Sequence, residues 1–98
     1  MSKKPITGEL TLFSKSKAIS DGGLNGKRHR FEFTLSPESN ENWIVETEVL
    51  GPLPWLKGES RIVKVRVMTN EFENALIQTK KPVFVYVGAY PAGTFELL

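Results

Sequence analysis

The residues with the most chemistry to offer are His29, set between Arg28 and Arg30, and the carboxylate pair Glu46 and Glu48. A histidine acting as general base needs a carboxylate or nucleophile within hydrogen-bond reach, and the sequence neighbours of this one are arginines. His29 therefore reads as an exposed strand residue. Glu46 and Glu48 stand roughly 7 Å apart on one face of an extended backbone, at ~3.3 Å rise per residue. That spacing can hold water or a metal ion, but no second ligand cluster accompanies the pair. Lys64 and Arg66 offer cross-strand partners, so a solvated, paired face is expected. The chain has no cysteine, which excludes disulfides, a thiol nucleophile and Cys-ligated metal sites. No catalytic, cofactor or metal constellation is expected, and the chain reads as non-enzymatic.

Two other groups could bind rather than react. Lys15, Lys17, Lys27, Arg28 and Arg30 are the best anion-binding candidates. Phosphate contacts need cations in a row and carry no sequence information. The same residues also fit a solvated loop and strand face, or a surface for an acidic protein partner. The absence of interleaved aromatics weighs against single-strand binding. The second group is apolar: Leu53, Trp55 and Leu56 in the loop G-P-L-P-W-L-K-G, with Phe84, Tyr86 and Tyr90 further on. Trp55 either plugs a barrel end or protrudes as an anchor of the kind enriched at interface hot spots. The expectation is a partly exposed Trp55 with a contact role.

The elements that position these residues are strands. In R-I-V-K-V-R-V-M, Arg61 to Met68, the valines Val63, Val65 and Val67 alternate with Lys64 and Arg66, the period-two pattern of a half-buried strand. Similar patterns predict strands at Ile6 to Phe13, Arg28 to Leu35, Trp43 to Leu50, Val83 to Ala89 and Thr94 to Leu98. Val83 to Ala89 is apolar on both faces, as a doubly covered or interfacial strand would be. Ser14 to Lys27 is a long polar loop in which Ile19 and Leu24 are the large apolar residues available to pin it down. Ser36 to Asn42 and Tyr90 to Gly93 read as turns. Gly51 to Gly58 is a loop, because its prolines remove ladder donors. Thr69 to Lys81 is the one stretch with helical spacing, through Phe72, Ala75 and Leu76. One to three helical turns are expected in this stretch, with one short turn near 70–78, capped by Thr69 or Asn70.

With 98 residues, the chain is sized for one domain: a flexible N-terminus over 1–5 and a single β-barrel over 6–98. The fold class is all-β, a six-stranded antiparallel closed barrel. The net charge of +2 is uneven, at plus five over residues 1–30, minus five over 31–60 and plus two over 61–98. Blocks of this kind either polarise the surface or neutralise each other where strands are neighbours. No apolar run approaches the roughly 20 residues that span a membrane, and Met-Ser-Lys-Lys-Pro lacks the apolar core of a signal peptide. A cytoplasmic location is expected.

In its order of strands and turns the chain resembles the C-terminal, third β-barrel domain of elongation factor Tu. I-T-G-E-L-T-L-F-S-K, Ile6 to Lys15, is similar to the family's opening strand, an acidic residue among apolar ones followed by L-(S/T)-K. Gly22 and Gly23, then K-R-H-R-F-E-F from Lys27, resemble the family's G-G-R-H … Y-R-P-Q-F-Y-F, with Arg28, Phe31 and Phe33 in register. Lys57-Gly58-Glu59 before the valine strand looks like the family's P-G-D turn. Phe84 to Leu98 is similar to F-A-I-R-E-G-G-R-T-V-G-A-G-V-V, keeping Gly88 and Gly93 if one residue is deleted. The resemblance spans Ile6 to Leu98 and implies an antiparallel six-stranded barrel that contacts proteins and the backbone of aminoacyl-tRNA. There are departures. No G-x-x-x-x-G-K-(S/T) loop is present, and the family's R-E-G-G-R is here Val87-Gly88-Ala89-Tyr90, without either arginine. The expected function is a protein-binding module, with weak RNA binding through Lys15 to Arg30 as the alternative. It is expected to act as a monomer or weak homo-oligomer.

Overall fold

The computed structural model describes residues 5–35, 38, 41–79 and 81–98. The expected flexible N-terminus over 1–5 lies outside these residues except for Pro5, and so does most of the turn at 36–42. Six strands form: β1 (Ile6–Leu12), β2 (Arg28–Thr34), β3 (Trp43–Val49), β4 (Ser60–Val67), β5 (Val83–Val87) and β6 (Tyr90–Leu97), with one helix, α1 (Asn70–Gln78). They close into a barrel in the order β1-β4-β3-β2-β5-β6, with every pairing antiparallel. β2, β3 and β4 follow one another as neighbours, and β1 lies beside β4, a Greek-key arrangement.

The alternation in the sequence sets the facing. Val63, Val65 and Val67 are buried, as are Leu10 and Leu12 on β1, Phe31 and Phe33 on β2, Val45 and Val49 on β3, and Val83 and Val85 on β5. Phe33 on β2 and Phe95 on β6, the two strands flanking β5, pack inside the barrel with ring centroids 5.1 Å apart.

Two connections cross between opposite sides of the barrel, and each closes one end. The 13–27 connection from β1 to β2 passes over one end. The connection from β4 to β5 passes over the other and carries α1. Thr69 caps the helix, its side chain accepting from the Phe72 amide, and Phe72 and Leu76 face inward at one-turn spacing. Phe72 stacks on Trp43 at 5.0 Å and 13°, so the start of β3 and the helix share one apolar lid. No helix among the described residues is long and apolar enough to cross a membrane.

Two sequence expectations are corrected. Tyr90 to Gly93 is not a turn but the start of β6, which runs Tyr90–Leu97 rather than beginning at Thr94. The turn falls earlier, at Gly88, whose φ of 62° is left-handed. Pro91 is tolerated in the strand because the β5–β6 register shifts between Val85 and Tyr86, and Pro91 sits opposite Tyr86 at that irregularity.

Trp55 is the second correction. It is 0% exposed, not a protruding anchor. The loop between β3 and β4 folds back over the end crossed by the 13–27 connection, and its Leu53-Pro54 peptide is cis. Trp55 and Leu24 exchange backbone bonds of 2.8 and 2.9 Å, and the indole Nε1 donates to the carbonyl of Glu59 at 2.8 Å. A buried indole needs such a partner. Leu53, expected at a contact surface, is half-buried and packs against the same core.

Candidate docking face on β2, β3 and β4

Strand register turns the charge blocks of the sequence into a pattern on the barrel exterior. Glu46 pairs with Arg30 on one side and Arg66 on the other; Glu48 pairs with Arg28 and Lys64. Each row therefore reads cation, carboxylate, cation. Apolar residues close the pattern at both ends. Ile44 and Met68, one residue beyond the Val45–Val67 pair, are 57% and 74% exposed. At the other end the Leu50 amide bonds the Ile62 carbonyl at 3.0 Å, and these side chains are 47% and 36% exposed. An open groove of about 540 Å³ runs over the charged rows, lined by Arg28, Arg30, Glu46, Glu48, Lys64 and Arg66 among others.

Arg30 and Glu46 approach to 3.9 Å with both side chains more than half exposed, a geometry that contributes little to stability. Among the described residues, Arg28, Lys64 and Arg66 have no ion pair. The expected pairing of Glu46 and Glu48 with β4 is thus present in register, while the charges themselves stay open to an incoming surface. His29 also lines the groove. Its Nε2 is bonded to the Gly26 carbonyl at 2.6 Å, and its ring lies 5.7 Å from that of Phe31. No group of three potential metal ligands occurs among the described residues.

The five basic candidates do not form one cluster. Arg28 and Arg30 belong to the groove, whereas Lys15 and Lys17 lie beside Phe13, Tyr90 and Pro91 in a separate notch. Lys27 is exposed just before β2, its carbonyl accepting from Val49 at 2.7 Å. Of the apolar candidates, Phe84 and Tyr86 are half-buried on the outside of β5, Leu56 is 40% exposed and Tyr90 54%. Ile44, Leu50, Ile62 and Met68 were not among the sequence candidates. Their signal was present, since each is an apolar residue at an outward position of a strand or just past its end.

Arg61 was missed as well. It shares the inward side of Val63, and its guanidinium holds the loop that carries Trp55. Nε donates to the Pro52 carbonyl at 2.9 Å, and Nη2 to Glu59 Oε1 at 3.0 Å. Glu59 also accepts from the Leu56 amide at 3.0 Å. That backbone bond, ahead of Arg61, holds the Glu59 carboxyl below its ordinary pKa, against a smaller opposing effect of burial.

No family model, curated protein or solved structure matches the chain.

Proposed function

We propose that this chain is a non-enzymatic protein-binding module that docks a partner on the outer face of β2, β3 and β4. The observation that carries the proposal is the alternation of charge across that face, closed at each end by an exposed apolar pair. Complementary charge sets orientation and rejects wrong partners, while desolvated apolar residues supply most of the affinity. The resemblance to the elongation factor Tu C-terminal barrel supports a binding rather than a catalytic role, and the closed six-stranded antiparallel barrel is the architecture that resemblance implies. The absence of cysteine fits a cytoplasmic setting.

The carboxylates favour a protein over nucleic acid on this face. Glu46 and Glu48 occupy the middle strand, between the two walls of cations. A phosphate backbone crossing the groove would meet them directly, whereas a protein surface can present cations at those positions.

The test compares the wild-type chain with Ile44→Asp plus Ile62→Asp, and with Glu46→Arg plus Glu48→Arg, as baits for affinity capture. A protein retained by the wild type and lost by both variants supports the reading. A tRNA gel shift that strengthens in the Glu-to-Arg variant and weakens with salt, at about 0.9 log units per log unit of salt for each duplex phosphate contact, would favour the RNA alternative instead.

A further inference from the structure

The fold separates Lys15 and Lys17 from the arginines they accompany in sequence and joins them to residues far away in the chain. The Phe13 amide bonds the Ala92 carbonyl at 2.9 Å, tying the exit of β1 to β6. The Ser16 hydroxyl donates to the Pro91 carbonyl at 2.6 Å and accepts from the Ala18 amide at 3.1 Å. Ser16 itself is only 5% exposed. These bonds hold the turn that carries both lysines against the start of β6. The result is a notch of about 330 Å³ between Phe13, Tyr90 and Pro91, with Lys15 and Lys17 on its rim.

Three features define what would fit. The floor is apolar, and Phe13 and Tyr90 are exposed at 37% and 54%. Among the described residues, no carboxylate lines the notch and neither lysine has an ion pair. Lys15 and Lys17 are the charged residues among those lining the notch. A nucleic-acid strand needs cations that track successive phosphates as well as stacking surfaces, and two lysines do not make such a track. One apolar side chain flanked by carboxylates matches both the size and the charge of the site, in the usual manner of a concave apolar pocket with a few polar groups at its edge.

We propose that this notch binds a short acidic segment of a partner protein, with one large apolar side chain between Phe13 and Tyr90 and carboxylates on Lys15 and Lys17. The site shares no residue with the β2–β3–β4 groove and stands or falls independently of it.

The experiment selects a random short-peptide display library on the intact chain, then titrates the enriched peptide into 15N-labelled protein. The expected winners carry Asp or Glu around one aromatic or aliphatic residue and shift the amides of residues 13–17, Tyr90 and Ala92. Lys15→Glu with Lys17→Glu should weaken binding by about tenfold or more, while Lys15→Arg with Lys17→Arg retains it. Tyr90→Ala should also lose about tenfold. The substituted side chains are exposed, and an unchanged 15N spectrum elsewhere shows that each variant is folded. Failure to enrich any peptide overturns the proposal. So does enrichment of neutral or basic sequences, a response confined to groove residues such as Glu46 and Arg66, or a single-stranded RNA that displaces the peptide from the same amides at lower concentration.

Discussion

Leu24 and Trp55, far apart in sequence, form a two-residue antiparallel bridge: the Leu24 amide donates to the Trp55 carbonyl at 2.9 Å, and the Trp55 amide donates back at 2.8 Å. That pair locks two loops over one end of the barrel and makes the indole part of the core. Trp55→Ala should therefore cost about 3–5 kcal/mol in chemical denaturation. In a Trp43→Phe background, Trp55 fluorescence should be blue-shifted and insensitive to a soluble quencher. A red-shifted, quenchable signal would contradict the buried placement.

The same bridge constrains Gly23. Its φ is 78°, and a Cβ there would collide with the Trp55 carbonyl oxygen. Gly23→Ala should destabilise by more than about 1 kcal/mol, through both the left-handed backbone and the collision. Gly22, with open space around it, serves as the control, and equal losses at the two positions would count against the close approach.

Thr47 lies inside the barrel, 2% exposed, and its Oγ1 has no hydrogen-bond partner among the described residues. An unpaired buried hydroxyl is unfavourable by about 1–3 kcal/mol relative to water. Thr47→Val keeps the shape and removes that polar atom, so stability should rise by about 1 kcal/mol, read as an increase in Tm of about 4–8 °C for a domain of this size. A fall in Tm would mean that the hydroxyl is bonded in solution.

Acid should loosen the Trp55 loop through Glu59. The Leu56 amide and then Arg61 favour its ionised form, so its folded pKa lies below the ordinary Glu value. The resulting stabilisation is fully present above the unfolded pKa and is lost as pH falls through the lowered folded one. The Leu56 amide resonance should titrate in that acidic window, and Glu59→Gln should abolish the titration. Asp21 follows the same sign, lowered first by its hydrogen bond from Lys57 and then by that charge. Its side chain is 99% exposed, so solvent screening leaves it a minor contributor. A Leu56 titration centred above the ordinary Glu value would invert the assignment.

What the sequence determined by itself was local. The period-two valines placed one face of β4 inside, the cap of α1 was narrowed to Thr69 or Asn70 ahead of Phe72 and Leu76, and the sign of the residues on β3 and β4 anticipated the rows Glu46–Arg66 and Glu48–Lys64. Each follows from the backbone geometry of one element or from the pairing of two consecutive strands. Tertiary structure decided everything that depended on distant segments meeting. Trp55 went inward because Leu24 and Arg61 hold its loop over the barrel end. The basic candidates divided because β1 exits beside β6 while β2 begins on the opposite side of the barrel. Lys15 and Lys17 consequently joined Tyr90, a residue that only the β6 register brings to the rim beside them. Alternation reports which way a side chain faces from its own strand; which residues become neighbours is set by the closure of the sheet.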